Sequence, residues 1–226
     1  MFRKLKESGR FEITLLLISM TLFCFSLSVF RYYISETKVF LFLNWNLFLA
    51  WIPFVISSLL MIFKTRSKRS LVIAITVWIL FFPNSPYILT DLFHLKHRTA
   101  IPIWYDLVVI LSYAWTGLFC GFVSLLDLEK LLSHYFKKSV ISIITASFLF
   151  IASFGVYLGR FLRWNSWDVI SNPFGLFNDI LVRIAYPMDY TKTWGVTVFM
   201  GVMLNFMYFM MKSVKNLNKE AVLTES

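Results

Sequence analysis

Along its whole length the chain alternates long apolar runs with short polar segments, most of them basic. Six runs, at about 11–30, 39–63, 71–90, 104–126, 139–158 and 193–211, approach the roughly 20 apolar residues a helix needs to cross hydrocarbon. The pattern predicts an all-α fold, a polytopic transmembrane helix bundle of about six spans. Two places interrupt it. The third run is cut by Phe82-Pro83-Asn84-Ser85-Pro86. Proline lacks a backbone donor and clashes with the preceding turn, so this span is expected to break. Asn84 or Ser85 could cap a helix restarting at Pro86. The other interruption is the long segment 159–192, where Asn172-Pro173, an apolar stretch Phe177–Tyr186 with a candidate cap at Asn178, and Pro187 predict an interfacial or re-entrant helix.

Composition sharpens this reading. Of 226 residues, 58% are hydrophobic and only 15% are charged. Soluble domains carry about 25% charged residues, so the deficit points to lipid as solvent. No Pro/Gly/Ser-rich linker divides the chain, which is read as one integral membrane domain over 1–226. Ser26-Leu-Ser28 after a basic start fits a cleavable signal. Five further spans need no separate targeting signal, so the first run is read as a retained helix.

A net charge of +10 raises the question of nucleic acid. The basic residues stand in short clusters between apolar runs, however, and no basic stripe interleaved with aromatics is present, so nucleic acid is excluded as a partner. Those clusters set topology instead. Placing both termini in the cytoplasm assigns fourteen of the 22 Lys and Arg to the inner segments 1–10, 64–70, 127–138 and 212–226. The tight run Lys64, Arg66, Lys68, Arg69 is the strongest single mark of an inner loop. Asp127, Glu129 and His134 among the lysines of 127–138 read as a solvated face. Cys24 and Cys120 lie inside apolar runs and suggest neither a disulfide framework nor a metal site.

Candidate chemistry gathers on the expected outer side. On an α-helix starting at Pro86, Tyr87, Asp91 and His94 share one face. Asp91 and His94 could then form an acid–base pair or hold a metal, or simply mark the helix exit; His97, between Lys96 and Arg98, reads as loop. In 157–168, a helical placement brings Tyr157, Arg160, Arg163, Trp164 and Trp167 within an arc of about 120–130°. Two guanidiniums one turn apart suit a phosphate or carboxylate. Asn165 or Ser166 could equally cap a short helix with Asp168 in its first turn. Asp106 either sits at a helix N-terminus for the dipole or pairs with Arg160 or Arg163. No nucleophile elbow, zinc-protease motif, phosphate-binding loop or dinucleotide fingerprint occurs.

Phe81-Phe-Pro-Asn-Ser-Pro-Tyr-Ile-Leu-Thr-Asp-Leu-Phe-His94, Trp104-Tyr-Asp106 and Gly155-Val-Tyr-Leu-Gly-Arg-Phe-Leu-Arg-Trp-Asn-Ser-Trp-Asp168 resemble the uncharacterised DUF1361 family of bacterial membrane proteins. The resemblance covers about 45–210. It implies a multi-pass protein of the bacterial cell membrane and carries no activity, cofactor or metal with it.

Three functions compete. One is an outer-leaflet site that binds or processes an anionic lipid headgroup or lipid-linked phosphate. Arg160 and Arg163 would hold the anion, Asp91 and His94 would act as acid/base or metal ligands, and Asn84, Tyr87, Asp106, Tyr157, Trp164, Asn165 and Asp168 would support them. Another is a structural or assembly protein whose polar cluster locks the helices. The last is a small-solute transporter, since broken helices often line substrate sites. Membrane lipids are the expected partners, with an oligomer or membrane-protein partner allowed for.

Overall fold

A computed structural model describes residues 9–63, 67–96 and 101–224, with side chains through Val214. The chain is all-helical, and six of its helices are long and apolar enough to cross a membrane. It divides into two compact units, Met1–Phe136 and Lys137–Ser226.

The first unit holds α1 (Phe11–Ser35), α2 (Phe42–Phe63), α3 (Lys68–Phe81), the short α4 (Asn84–Tyr87), a 3₁₀ helix (Ile88–His94) and α5 (Ile103–Leu132). At its centre stands α5, against which α1, α2, α4 and the 3₁₀ helix all pack. Leu43, Leu47 and Ala50 of α2 meet Ile88, Val109, Ile110, Tyr113 and Ala114 in one apolar core. Five of the six spans run a little longer than the apolar runs suggested, since helices continue through flanking polar residues; the second begins later than expected, at Phe42.

The third span is bent where the prolines stand, but the restart differs from the expected one. The new helix begins at Asn84 with Pro83 at its N-cap position, and no side chain caps it. Pro86 has no N–H to offer the Phe82 carbonyl, and the Ser85 N–H serves that carbonyl instead (3.0 Å). The Phe81 carbonyl, the usual α-helical acceptor for Ser85, then takes a bond from Asn84 Nδ2 (2.9 Å). Asn84 therefore acts as a donor that repairs the old helix end. Repair of this kind is what lets a broken helix persist in lipid.

Room for the break comes from two glycines on α5, Gly117 and Gly121. A Cβ at Gly121 would stand 2.6 Å from Ser85 Cβ, and one at Gly117 would stand 2.6 Å from Ile88 Cδ1. Small residues four apart allow such close approach between membrane helices.

The second unit holds α6 (Lys138–Leu162), α7 (Asp168–Ser171), α8 (Pro173–Ala185) and α9 (Thr191–Thr224). Gly201 of α9 accommodates the Phe150 ring of α6, which a Cβ would meet at 2.3 Å. The helix expected within 159–192 is α8, and its cap is Asn172, not Asn178. Asn172 Oδ1 accepts from the Gly175 N–H (3.1 Å), with Pro173 at the first helical position. At about 1.5 Å per residue, thirteen residues are too few to span hydrocarbon. Its exposed residues Phe174, Phe177, Leu181 and Ile184 form one stripe that Ile170 and Met188 extend on either side. Polar Asp179 and Arg183 point inward instead. An apolar face turned outward is the signature of a helix lying in the lipid interface.

Candidate functional site

The acids and guanidiniums of the first unit are organised as helix clamps. Arg31 of α1 and Asp106 of α5 are 2% and 0% exposed. Arg31 Nε donates to Asp106 Oδ1 (2.7 Å) and Nη2 to Oδ2 (3.2 Å), a two-pronged charged pair. Arg31 Nη1 also donates to Thr37 Oγ1 (2.9 Å), and the guanidinium lies 4.5 Å from the Phe40 ring centroid. Asp106 was expected either to serve the dipole or to pair with Arg160 or Arg163. Its carboxylate is held by Arg31, a residue the sequence reading used only for counting charge.

A second clamp closes the opposite end of the same helix pair. Arg10 pairs with Asp127 and donates to Ser58 Oγ (2.6 Å), while Ser57 donates to Asp127 Oδ2 (2.7 Å). Burial pushes the Arg10 guanidinium down to about 10, which still leaves it charged at neutral pH. Asp127 and Glu129 are both buried, so the solvated inner face expected for them is corrected. The reason lies in length: α5 continues to Leu132, and this stretch of it is packed on more than one face, with Asp127, Leu128 and Glu129 all buried.

These clamps carried a sequence signal that went unread. Arg10 and Arg31 are as far apart in sequence as Asp106 and Asp127, so antiparallel packing brings both pairs together at once. Between them Leu17 and Cys24 on α1, and Tyr113 and Cys120 on α5, continue a seven-residue period of buried positions. With a rise of about 1.5 Å per residue, the clamps stand about 31 Å apart, close to the thickness of the hydrocarbon layer.

Asp91 is fully buried, and its Oδ2 accepts from Asn46 Nδ2 of α2 (2.9 Å). The helix carrying it is 3₁₀, not α. Three residues per turn replace the expected Tyr87/Asp91/His94 face by Ile88/Asp91/His94. Ile88 anchors that face in the core, while His94 is exposed at its end with its ring edge-on to Phe42 (5.2 Å). Thr90 donates to the Tyr87 carbonyl (2.6 Å). Nearby, Tyr113 donates to Asn44 Oδ1 (2.6 Å). His97 lies outside the described residues. Among the described residues, no three His, Cys, Asp or Glu side chains are grouped to hold a metal.

In the second unit the expected arc from Tyr157 to Trp167 is broken. Helix α6 stops at Leu162, and Arg163 turns into the left-handed region (φ 63°), its N–H bonding the Leu158 carbonyl. Tyr157 and Arg160 stay on the helix; Trp164 and Trp167 leave it. Trp164 Nε1 donates to Asp179 Oδ2 of α8 (2.7 Å), and Arg183 Nη1 donates to Asp179 Oδ1 (2.9 Å). Asp179 and Arg183 were not singled out from sequence, because they sit within a stretch read as apolar. Asp168 accepts from the Asn165 N–H (2.7 Å), Asn165 Nδ2 (3.2 Å) and Ser171 Oγ (2.8 Å). The cap thus runs opposite to expectation, with Asp168 receiving Asn165. These bonds hold its carboxyl below the ordinary carboxylate range.

Arg163 is exposed and forms no ion pair among the described residues. Arg160, one turn earlier, is half-buried. Lys192, at the start of α9, places its Nζ 4.2 Å from the Phe161 ring centroid. Three cations therefore border the end of α6, flanked by Trp164 and an exposed Trp167.

Residues 45–207 match a family model described as "Protein of unknown function (DUF1361)". No curated protein and no solved structure gives a match.

Proposed function

This chain belongs to the DUF1361 family and is a multi-pass membrane protein; from that premise we propose that it binds an anionic lipid headgroup or a lipid-linked phosphate at the end of α6. The observation that carries this reading is Arg163. Its guanidinium is exposed and held in a left-handed cap at the end of a membrane-length helix, and headgroup phosphates are expected near the ends of such helices. Arg160, three residues earlier in the chain, and Lys192, against the Phe161 ring, add positive charge to the same helix end, and guanidinium forks match phosphate oxygens in pairs. The outward apolar stripe of α8 supports an interfacial depth for the same unit. Excess Lys and Arg in the segments 1–10, 64–70, 127–138 and 212–226 supports cytoplasmic termini in a bacterial cell membrane and an outer-leaflet position for this site.

A structural role for the first-unit acids is favoured by a separate observation. Asp91 and Asp106 are fully buried and hydrogen-bonded to other helices. In this reading they lock helices, and the ligand chemistry belongs to the cations of the second unit.

The test uses the full chain in neutral detergent, titrated with phosphatidylglycerol, a polyprenyl phosphate or phosphatidylcholine, with thermal unfolding as readout. The two anionic lipids should raise the melting temperature, the gain should shrink with added salt, and Arg163→Gln should remove it. Equal stabilisation by phosphatidylcholine would sink the proposal. A response to polyprenyl phosphate alone would select the lipid-linked phosphate as ligand.

A further inference from the structure

Between α1 and α5 runs a groove of about 460 Å³ lined by Met20, Phe23, Leu111, Ser112, Trp115 and Thr116. Its depth follows from the two clamps. Met20 and Phe23 lie near the middle of the stretch from Arg10 to Arg31, and Ser112, Trp115 and Thr116 near the middle of that from Asp106 to Asp127. If the clamps mark the hydrocarbon boundaries, the groove opens at mid-membrane.

Its walls are mostly apolar, and both hydroxyls in them are already spent as donors to their own helix. The Ser112 hydroxyl donates to the Val108 carbonyl and Thr116 to the Ser112 carbonyl, both at 2.7 Å. Thr116 Oγ1 also lies 3.4 Å from Cys24 Sγ. Met20 supplies an adaptable thioether. Trp115 is the unusual member, because tryptophan is normally enriched at the membrane–water interfaces. With the clamps as boundaries it stands at mid-depth; it is half exposed, with its ring braced edge-on by Phe119 at 5.2 Å.

We propose that this groove is a binding site for one lipid acyl chain, held against Trp115 between α1 and α5. Depth and apolar lining both fit methylene groups. A second copy of the chain fits poorly, because close helix approach needs small residues at the contact, and Phe23, Leu111 and Trp115 on this face are large and exposed. The site is separate from the cations at the end of α6, and the proposal does not rest on them.

The full chain in detergent is titrated with phosphatidylcholine brominated at mid-chain, and tryptophan quenching is read as the difference from Trp115→Phe. A zwitterionic headgroup keeps the result independent of Arg160 and Arg163. Quenching of Trp115 should saturate at a single lipid per chain. Ser112→Phe, which fills the groove from α5, should abolish the saturable part while the melting temperature stays unchanged. Met20→Phe fills it from α1 and gives the same reading should Ser112→Phe not fold. Quenching that grows in proportion to lipid without saturating would overturn the proposal. So would quenching that survives both fillings, or a fall from dimer to monomer on filling, which would make the groove an interface between copies.

Discussion

A guanidinium with 2% exposure beside a carboxylate with none is tolerable only as a pair. Removing one member leaves the other charged and without its partner in a low-dielectric interior, at a cost of about 3–5 kcal/mol. Arg31→Ala and Asp106→Ala should therefore each lower the detergent melting temperature sharply. The double variant Arg31→Met with Asp106→Leu should recover most of the loss, since apolar groups of similar volume can replace a buried pair. Additive losses in thermal unfolding would show that the two residues act separately. At Asp168 the sign runs with pH. Its folded pKa is depressed by the Asn165 N–H and the Ser171 hydroxyl, so its stabilisation is complete above the unfolded carboxylate value and is lost as pH falls through the depressed one. Trp167 fluorescence should hold steady through mildly acidic pH and change only in strong acid. In Asp168→Asn that acid transition should disappear.

At the scale of elements, the bend in the third span and the glycines of α5 form one device. Prolines free carbonyls, Asn84 and Ser85 re-engage them, and Gly117 and Gly121 let the displaced turn pack closely. Gly121→Ala places a methyl group against Ser85 Cβ, close to the backbone, where neither helix can yield cheaply. It should destabilise by about 1–3 kcal/mol, as overpacked cores do. Gly195→Ala, whose Cβ would meet nothing within 4 Å, is the control and should be neutral or better in the same unfolding assay. The interfacial helix α8 is built on a different principle. Its ties to neighbouring elements are polar, through Asp179 to Trp164 and through the Arg183 carbonyl to Trp194 Nε1 (3.1 Å). Its apolar side is turned outward and exposed.

For the whole molecule, orientation can be tested directly. Cys24 and Cys120 are both buried, so the background for thiol labelling is low. A cysteine introduced at Thr99 should react with an impermeant reagent from outside, and one at Ser67 should react only after the membrane is opened. The reverse pattern would invert the topology. The two compact units have separate internal packing: α2 and α5 dominate the first, and α6 with α9 the second. Such a division is expected where each set of helices can satisfy its own packing once inserted.

Six spans, the bend of the third and a short helix in 159–192 were legible in the linear sequence for one physical reason. Hydrocarbon demands long apolar runs whose backbone bonds close within each segment, and proline interrupts that closure locally. Partnership was not legible in the same way. Asp106 looked like a helix-end acid or a partner for Arg160 or Arg163. Asp127 looked solvated, and Tyr87 looked aligned with Asp91. Each of these turned on which helices lie side by side and on whether a turn is α or 3₁₀. Burial and charge pairing depend on contacts between segments far apart in sequence, and local pattern does not encode them. The matched spacing of Arg10 and Arg31 with Asp106 and Asp127 was present in the chain throughout. Only the antiparallel packing of α1 on α5 gave it meaning.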